Sequence, residues 1–195
     1  TENQRNFTIM IDLKLIALDI DGILTSGKKS YDLLGNTRGK QFCDLDFSAI
    51  KIFKSLGIQV VCITGDQGNL WLNKKRNIET IVSRNTEGKL TSKLEILEAF
   101  CKEKFFFKEN VWFVGDDIFD YDALEWAKYS SAPTNALPFV RDVCTVKIEK
   151  ESGNYFVSEM LSKYLEVNKI KLNYELIEKV KQLDLQEIAS VDMSE

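Results

Sequence analysis

The sequence contains no histidine, although it is 195 residues long. This absence excludes Ser-His-Asp triads, histidine general bases and histidine-ligated zinc or iron, because each of these needs an imidazole. The few cysteines form no Cys-x-x-Cys pair, so we expect all of them to be reduced and structural; they are Cys43, Cys62, Cys101 and Cys144. Any chemistry must therefore use carboxylates, lysine, threonine or a hard metal ion.

Long apolar runs and concentrated positive charge are also missing. No apolar run approaches the roughly 20 residues that cross a bilayer, and residues 1–6 lack the apolar core of a signal peptide. Lysine and glutamate are mixed along the whole sequence and the net charge is -4, so there is no basic stripe to follow a nucleic acid backbone. We expect a cytoplasmic protein with neither membrane nor nucleic acid as a partner. The length and a hydrophobic content of 44% fit one domain with a modest extension.

Apolar runs bounded by turn residues recur at 15–18, 58–63, 79–82, 111–114 and 144–148, mostly with helical patterns between them. This alternation predicts an α/β fold, a Rossmann-like parallel sheet flanked by helices. Ligands should then bind at the carboxyl ends of the strands. Between residues 27 and 44, two short strand-like pieces surround Leu34-Gly35-Asn36, which predicts an inserted β-hairpin.

Several helix starts can be predicted from capping residues and periodicity. Asp46 is predicted to cap a helix that ends near residue 57, and Ser92 is predicted to cap the helix that places Lys93 in its first turn. A final amphipathic helix is expected after Lys169, with Leu172, Leu176, Ile177, Val180 and Leu183 on its apolar face. We therefore predict one domain at 1–167 and a C-terminal helical extension at 168–195.

Polar residues follow three of the predicted strands, where the strand ends would meet. They are Asp19 and Asp21, then Thr64 and Gly65, then Asp116 and Asp117. Two carboxylates one residue apart can divide nucleophilic attack and proton transfer between them. A third carboxylate from another strand can complete an oxygen-rich site for Mg²⁺. The pattern favours a magnesium-dependent reaction that needs no histidine.

Each of these features also has a purely structural interpretation. Asp-x-Asp-Gly is common in turns and calcium loops, although the further acids and the distal Glu of a calcium loop are missing here. Thr64-Gly65 fits an ordinary strand-to-helix turn, and Lys93 fits a solvated residue at a helix start. Either Asp116 or Asp117 could cap the helix that follows.

In combination, four motifs resemble those of the haloacid dehalogenase superfamily of phosphatases, in the same order. They are Asp-Ile-Asp-Gly-Ile-Leu-Thr from Asp19, Ile-Thr-Gly from Ile63, the helix-start Lys93, and Gly-Asp-Asp-Ile-Phe-Asp from Gly115. The resemblance covers residues 13–167. It implies that Asp19 attacks phosphorus to form an aspartyl-phosphate, while Asp21 protonates the leaving alcohol and then activates water.

The same resemblance implies the roles of the remaining residues. Mg²⁺ would be held by the Asp19 carboxylate, the Asp21 carbonyl and Asp116. Phosphate would be bound by Thr64, the Gly65 amide and Lys93, and Asp117 and Asp120 would support the metal site. From the sequence alone, Lys89 stays an alternative to Lys93, and Asp117 an alternative to Asp116.

The motif spacing points to the branch without a cap domain. Only about forty residues separate Asp21 from Thr64, which leaves no room for a folded cap. The hairpin patterns Tyr31-x-x-x-Gly35 and Lys40-x-Phe42-x-x-x-Asp46 resemble the branch of 3-deoxy-D-manno-octulosonate 8-phosphate phosphatases, nonulosonate 9-phosphate phosphatases and the C-terminal domains of some acylneuraminate cytidylyltransferases. In that branch hairpins pack into a homotetramer whose subunits cover one another's sites, and we expect the same here.

Several departures from the branch concern the substrate. Asp66 follows Ile-Thr-Gly, where octulosonate phosphatases carry Arg and the nonulosonate type carries Glu, so an acid favours the nonulosonate type. After Asp46, bulkier residues stand where the branch usually has glycine. We expect Asp46, Ser48 and Asp66 to contact substrate. The C-terminal stretch at 151–159 lacks the branch's arginine. A substrate carboxylate would lose that cation, and Lys89, Arg84 or Arg38 could replace it.

The leading hypothesis is a phosphatase for a small phosphorylated sugar acid in lipopolysaccharide or sialic acid biosynthesis. The alternative is a non-catalytic oligomerisation or regulatory module related to the cytidylyltransferase C-terminal domain. Modules of that kind usually lose Asp19 or Asp21, and this chain keeps both. A phosphomutase is less favoured, because those enzymes normally need a cap to retain their intermediate.

Overall fold

A five-stranded parallel sheet lies at the centre of the computed structural model, which describes residues 10–84 and 89–192. The strands, in chain order, are β1 (Leu15–Leu18), β2 (Thr25–Tyr31), β3 (Thr37–Phe42), β4 (Gln59–Thr64), β5 (Glu79–Val82), β6 (Val111–Val114) and β7 (Tyr129–Ser131). The sheet order is β5-β4-β1-β6-β7, and β2 and β3 form a separate antiparallel pair. The predicted Rossmann-like fold and the inserted hairpin are both confirmed.

Helices cover both faces of this sheet. They are α1 (Asp44–Ser55), α2 (Trp71–Lys75), α3 (Lys93–Lys104), α4 (Tyr121–Trp126), α5 (Pro138–Asp142), α6 (Phe156–Val167) and α7 (Tyr174–Asp192). Because alternate residues of a strand face opposite sides, Ile16 and Leu18 join the core under α1 and α6, while Leu15 and Ala17 join the core under α3 and α4. Among the described helices, none is long and apolar enough to cross a membrane.

The predicted strand at 144–148 is wrong, and β7 takes the last position in the sheet instead. The amide of Val146 does donate to the Ser130 carbonyl (2.9 Å). Next to it, however, the Ser130 amide donates to the Thr145 hydroxyl (2.9 Å) and the Thr145 amide to the Ser130 hydroxyl (3.2 Å). Side-chain oxygens thus replace the backbone acceptors that a strand ladder needs.

Cysteine placement follows the chemistry expected of reduced thiols. Cys43, Cys62, Cys101 and Cys144 are all free, as predicted. Cys62 lies in β4, but Cys43 precedes α1 and Cys144 lies outside any strand.

The prediction that Asp46 caps α1 is wrong, because Cys43 occupies that position. Asp46 lies within the first turn and is buried at 1% exposure. Its Oδ1 accepts hydrogen bonds from the Ser158 amide (2.9 Å) and the Ser158 hydroxyl (3.0 Å) at the start of α6. Asp46 therefore caps α6, a helix distant in sequence. Ser92 caps α3 as predicted, since its hydroxyl accepts from the Leu94 amide (3.2 Å).

The C-terminal helix begins at Tyr174. Asn173 caps its N-terminus, since Asn173 Oδ1 accepts a hydrogen bond from the Leu176 amide (2.9 Å). Leu176 is buried, whereas Ile177 and Leu172 are largely exposed and lie off the packed face. Lys51 of α1 pairs with Asp184 and Glu187 of α7. The division of the chain at residue 167 stays a prediction.

Candidate active site

The carboxyl ends of β1, β4 and β6 open into a cavity of about 690 Å³, at the edge where parallel sheets bind ligands. It gathers most of the site residues predicted from the sequence. Those that line it are Asp19, Asp21, Thr64, Gly65, Asp66, Lys93, Asp116, Asp117 and Asp120. Among the described lining residues, neither Asp46 nor Ser48 occurs: Ser48 is exposed, and its hydroxyl donates to the Asp44 carbonyl within α1 (3.2 Å).

Asp19 is held firmly at the end of the central strand. Its amide donates to the Val114 carbonyl of β6 (2.9 Å), and its Oδ1 accepts from the Ile20 amide (2.6 Å). Its Oδ2 lies 2.9 Å from Lys93 Nζ. Burial raises the pKa of Asp19, and the neighbouring ammonium of Lys93 opposes that rise. Oδ2 therefore points to the cavity beside a cation.

Lys93 enters the site from the first turn of α3 and is only 6% exposed. Burial alone would lower the pKa of Lys93, but Asp19 and Asp120 more than reverse this and raise it above its ordinary value. Its Nζ also lies 2.6 Å from Asp120 Oδ1. Lys93 is thus a buried ammonium held between two carboxylates, which is the arrangement that makes a buried cation tolerable.

Asp120 is fully buried and uses both carboxylate oxygens. Oδ1 binds Lys93, while Oδ2 accepts from the amides of Asp116 (3.1 Å) and Asp117 (3.2 Å). Asp117 itself caps the short 3₁₀ turn Ile118–Asp120 through its Oδ1, which accepts from the Ile118 amide (2.6 Å). Both side chains are therefore occupied in fixing the loop after β6.

Asp116 presents the carboxylate oxygen that a cation would satisfy. Ligand atoms of Asp19, Asp116 and Asp120 all lie within 4.8 Å of one another, so the three could hold a metal ion. In the described part of the chain, no donor reaches the buried Asp116 Oδ1. Burial and then the charge of Asp120 raise the pKa of Asp116 to about 7. An unsatisfied buried carboxylate beside another carboxylate fits a divalent cation, and the geometry favours Asp116 over Asp117 as the ligand.

Gly22 packs directly against this carboxylate. Its φ of +94° is left-handed, and a Cβ built there would lie 2.0 Å from Asp116 Oδ2. Glycine is therefore needed both for the backbone conformation and for the close approach.

The hairpin and the 3₁₀ turn Gln67–Asn69 after β4 supply further side chains to the site. Asp21 Oδ2 accepts from Lys40 Nζ (2.9 Å) and Asn69 Nδ2 (3.1 Å), and Lys29 Nζ lies 3.3 Å away. Lys40 belongs to the motif read from the hairpin, but Lys29 and Asn69 had no role assigned. For both residues the available signal was position, because the hairpin that directly follows β1 and the turn that follows β4 each begin at the edge of the sheet where the site lies.

No protein-family model matches the chain. Among solved structures, 3-deoxy-D-manno-octulosonate 8-phosphate phosphatase from Moraxella catarrhalis, in complex with magnesium, phosphate and KDO, is 26% identical (TM-score 0.72; 82% of this chain and 89% of that one). The cobalt-bound deoxy-D-mannose-octulosonate 8-phosphate phosphatase from Haemophilus influenzae is 25% identical (TM-score 0.72; 81% and 90%). The chain resembles haloacid dehalogenase phosphatases. A Yersinia pestis octulosonate phosphatase at 21% identity (TM-score 0.72; 82% and 84%) supports the fold alone.

The acid at position 66, where the sequence departs from the arginine of octulosonate phosphatases, has a local explanation. Asp66 Oδ2 accepts from both Lys29 and Lys40 at 2.8 Å. Burial alone would raise the pKa of Asp66, but the two ammonium groups lower it well below its usual range. Of the cations considered for a substrate carboxylate, Arg84 lines the cavity, whereas Arg38 pairs with Asp32 on the hairpin (2.8 Å).

Proposed function

We propose that this chain is a Mg²⁺-dependent phosphate monoester hydrolase with Asp19 as its nucleophile. The observation that carries the proposal is the constellation at the strand ends: a buried Asp19 lies beside the Lys93 ammonium, and nearby is an oxygen of Asp116 that no donor from residues 10–84 or 89–192 reaches. The resemblance to phosphatases that were solved with magnesium, phosphate or cobalt supports it.

The phosphoryl group of the substrate would be bound by donors from three elements. The Thr64 hydroxyl and the Gly65 amide would donate to phosphoryl oxygens from the end of β4, and Lys93 would do so from α3. Because Lys93 is already held by Asp120, its ammonium needs no reorganisation to offset the negative charge of an in-line transition state.

Two proton transfers by Asp21 would complete the reaction. A carboxylate oxygen of Asp19 attacks phosphorus, the ester P–O bond breaks, and Asp21 donates a proton to the departing alkoxide. Asp21, now a carboxylate, takes a proton from the water that attacks the aspartyl-phosphate. Inorganic phosphate is released and Asp19 is regenerated.

The Asp19 carboxylate, the Asp21 carbonyl and Asp116 would hold Mg²⁺. When bound, the ion offsets the charge of these carboxylates and of the phosphate. The ion would also satisfy the buried Asp116 Oδ1, which receives no hydrogen bond from any described residue and would otherwise be costly to bury.

We propose a small phosphorylated sugar acid as the substrate, of the octulosonate 8-phosphate or nonulosonate 9-phosphate type. The lining of the cavity includes two further cations, Lys29 and Arg84, besides Lys93. A carboxylate on the leaving group would find its counter-charge there. Asp66, placed beside Lys29, offers an acceptor for substrate hydroxyls.

A phosphate-release assay tests the proposal. The wild type should release phosphate from at least one of these two sugar-acid phosphates, and EDTA should abolish the release. Asp19→Asn should lose at least about 1,000-fold in kcat, because the nucleophile is gone, whereas Asp122→Asn, at an exposed position outside the cavity, should keep the wild-type rate. Metal-independent release, or a wild-type rate in Asp19→Asn, would refute the assignment.

We also propose a homotetramer built through the hairpins. The hairpin tip exposes three large apolar side chains, Tyr31, Leu33 and Leu34, at 61%, 106% and 87%. Large apolar side chains exposed so close together in the chain favour burial against another chain. Light scattering should give four chain masses for the wild type and a smaller assembly for Leu33→Asp/Leu34→Asp. A monomeric wild type would refute the tetramer without affecting the assignment of Asp19.

A further inference from the structure

The two carboxylate oxygens of Asp21 have opposite surroundings. Oδ2 faces three donors, namely Lys40, Asn69 and Lys29, at 2.9, 3.1 and 3.3 Å. Oδ1 is buried, and no donor among the described residues reaches it. A carboxylate held in this way cannot exchange its oxygens without breaking all three contacts.

Asn69 fixes one side of the arrangement and is completely buried. Its Nδ2 donates both to Asp21 Oδ2 (3.1 Å) and to Thr64 Oγ1 (2.9 Å), and its Oδ1 accepts from Lys40 (2.7 Å). The amide has one orientation that satisfies every contact. It ties the group proposed to transfer protons to a group proposed to bind phosphate.

Lys40 fixes the other side. Its Nζ donates to Asp21, Asp66 and Asn69 at 2.9, 2.8 and 2.7 Å, which uses all three of its protons. Asp66 is anchored in turn by the Gly68 amide (2.8 Å). Lys29 also pairs with Asp66, so the ammonium groups of Lys29 and Lys40 both lie between Asp21 and Asp66 and hold the two acidic side chains in place without substrate.

We propose that Lys40 and Asn69 are positioning residues for Asp21, which hold Oδ2 toward the hairpin and so present Oδ1 to the leaving-group oxygen. The proposal rests on the proposed phosphatase function. A proton donor acts only when its oxygen lies within hydrogen-bond reach of the acceptor, and misplacement by about 1 Å can cost 100-fold in rate. The hairpin would thus be part of the catalytic apparatus of its own subunit.

The leaving group provides the test. An alkoxide must be protonated as it departs, whereas p-nitrophenolate is a stable anion that leaves without a proton. If Lys40 orients Asp21, Lys40→Met should lower kcat/KM for the preferred sugar-acid phosphate by about 100-fold and for p-nitrophenyl phosphate by less than about 5-fold. Lys40→Arg, which keeps a cation and donors, should recover part of the loss.

Lys28→Met is the matched control, since Lys28 is an exposed lysine of the same hairpin, on β2, and it should not change the activity on either substrate. Thermal melting establishes that each variant is folded. Should Lys40→Met fail to fold, Asn69→Ala makes the same comparison, because it removes another donor to Asp21 Oδ2.

The outcomes distinguish the positioning role of Lys40 and Asn69 from the phosphatase assignment itself. Equal losses on both substrates, or no loss on either, would overturn the positioning role while leaving the phosphatase assignment intact. A wild type that hydrolyses neither substrate would refute the phosphatase assignment and the positioning role with it.

Discussion

Replacing Gly22 by alanine should damage the metal site more than it damages the fold. At φ +94°, a non-glycine residue costs about 1–2 kcal/mol in backbone strain. The added Cβ would also lie 2.0 Å from Asp116 Oδ2 and 2.4 Å from Asp116 Cγ. Atoms cannot approach so closely, so the Asp116 carboxylate must move away from Gly22 and out of its place in the proposed metal site.

Gly57 provides a control with the same strain and no collision. Its φ is +83°, and within the described residues no atom lies within 4 Å of a Cβ built there. A loss of about 1–2 kcal/mol corresponds to a Tm decrease of about 2–8 °C for a chain of this size. We expect that decrease in both Gly22→Ala and Gly57→Ala. Only Gly22→Ala should also raise the Mg²⁺ concentration for half-maximal effect, by about 10–100-fold.

Two measurements report the expected weakening of Mg²⁺ binding, and the second does not depend on turnover. The first is the Mg²⁺ dependence of phosphate release, and the second is the Mg²⁺-induced increase in Tm. If Gly22→Ala and Gly57→Ala showed the same Mg²⁺ dependence in both, the inferred contact between Gly22 and the metal-binding carboxylate would be refuted.

Two further predictions concern buried carboxylates. The pKa of Asp116 is raised from 3.8 to about 7 in the folded protein, so folding favours the protonated form of this side chain. Without metal, the stability that this preference contributes is fully present below about pH 4 and is lost as the pH rises through 7. Mg²⁺ competes with the Asp116 proton, so Mg²⁺ should raise Tm more at pH 8 than at pH 5. Equal Mg²⁺-induced Tm shifts at the two pH values would contradict this, as would the same pH difference in Asp116→Asn. Asp46→Ala leaves buried donors of α6 unpaired and should cost about 1–3 kcal/mol by urea denaturation, against less than about 0.5 kcal/mol for exposed Asp44→Ala. A raised KM in a stably folded Asp46→Ala would instead support substrate contact.

Those parts of the fold that depend on local burial were predictable. Strands β1, β5 and β6 are short apolar runs between turn residues, and the structure places them at the predicted positions. Strand β7 gave no such signal, because Tyr129-Ser130-Ser131 has little apolar content and is buried through its pairing with β6. The run at 144–148 is more apolar, but the hydroxyls of Ser130 and Thr145 occupy the positions at which a ladder would form.

The site was predictable to the extent that its residues lie at strand ends. The order of strands and the common direction of a parallel sheet bring Asp19, Thr64 and Asp116 to one edge, whatever their separation in the chain. The choice between Asp116 and Asp117 could not be made in advance, because both follow β6 directly. The geometry favours Asp116 through contacts that only the fold provides: the Ile118 amide occupies Asp117 Oδ1, whereas no described donor reaches the buried Asp116 Oδ1. Contacts of Asn69 with Asp21 join residues 48 positions apart and leave no local pattern.

One turn connects the proposed metal site to the proposed proton-transfer site. Thr25 Oγ1 accepts from the amides of Gly22 (3.3 Å) and Gly27 (3.2 Å), and Thr25 is almost fully buried. On one side of this turn Gly22 lies against Asp116. On the other side the hairpin begins, and its Lys29 and Lys40 contact Asp21. A chain with no room for a cap can therefore take both its metal-site packing and its proton-donor orientation from the segment that follows β1. Substitutions at Gly22 and at Lys40 should then separate the two functions, the first through Mg²⁺ dependence and the second through leaving-group dependence.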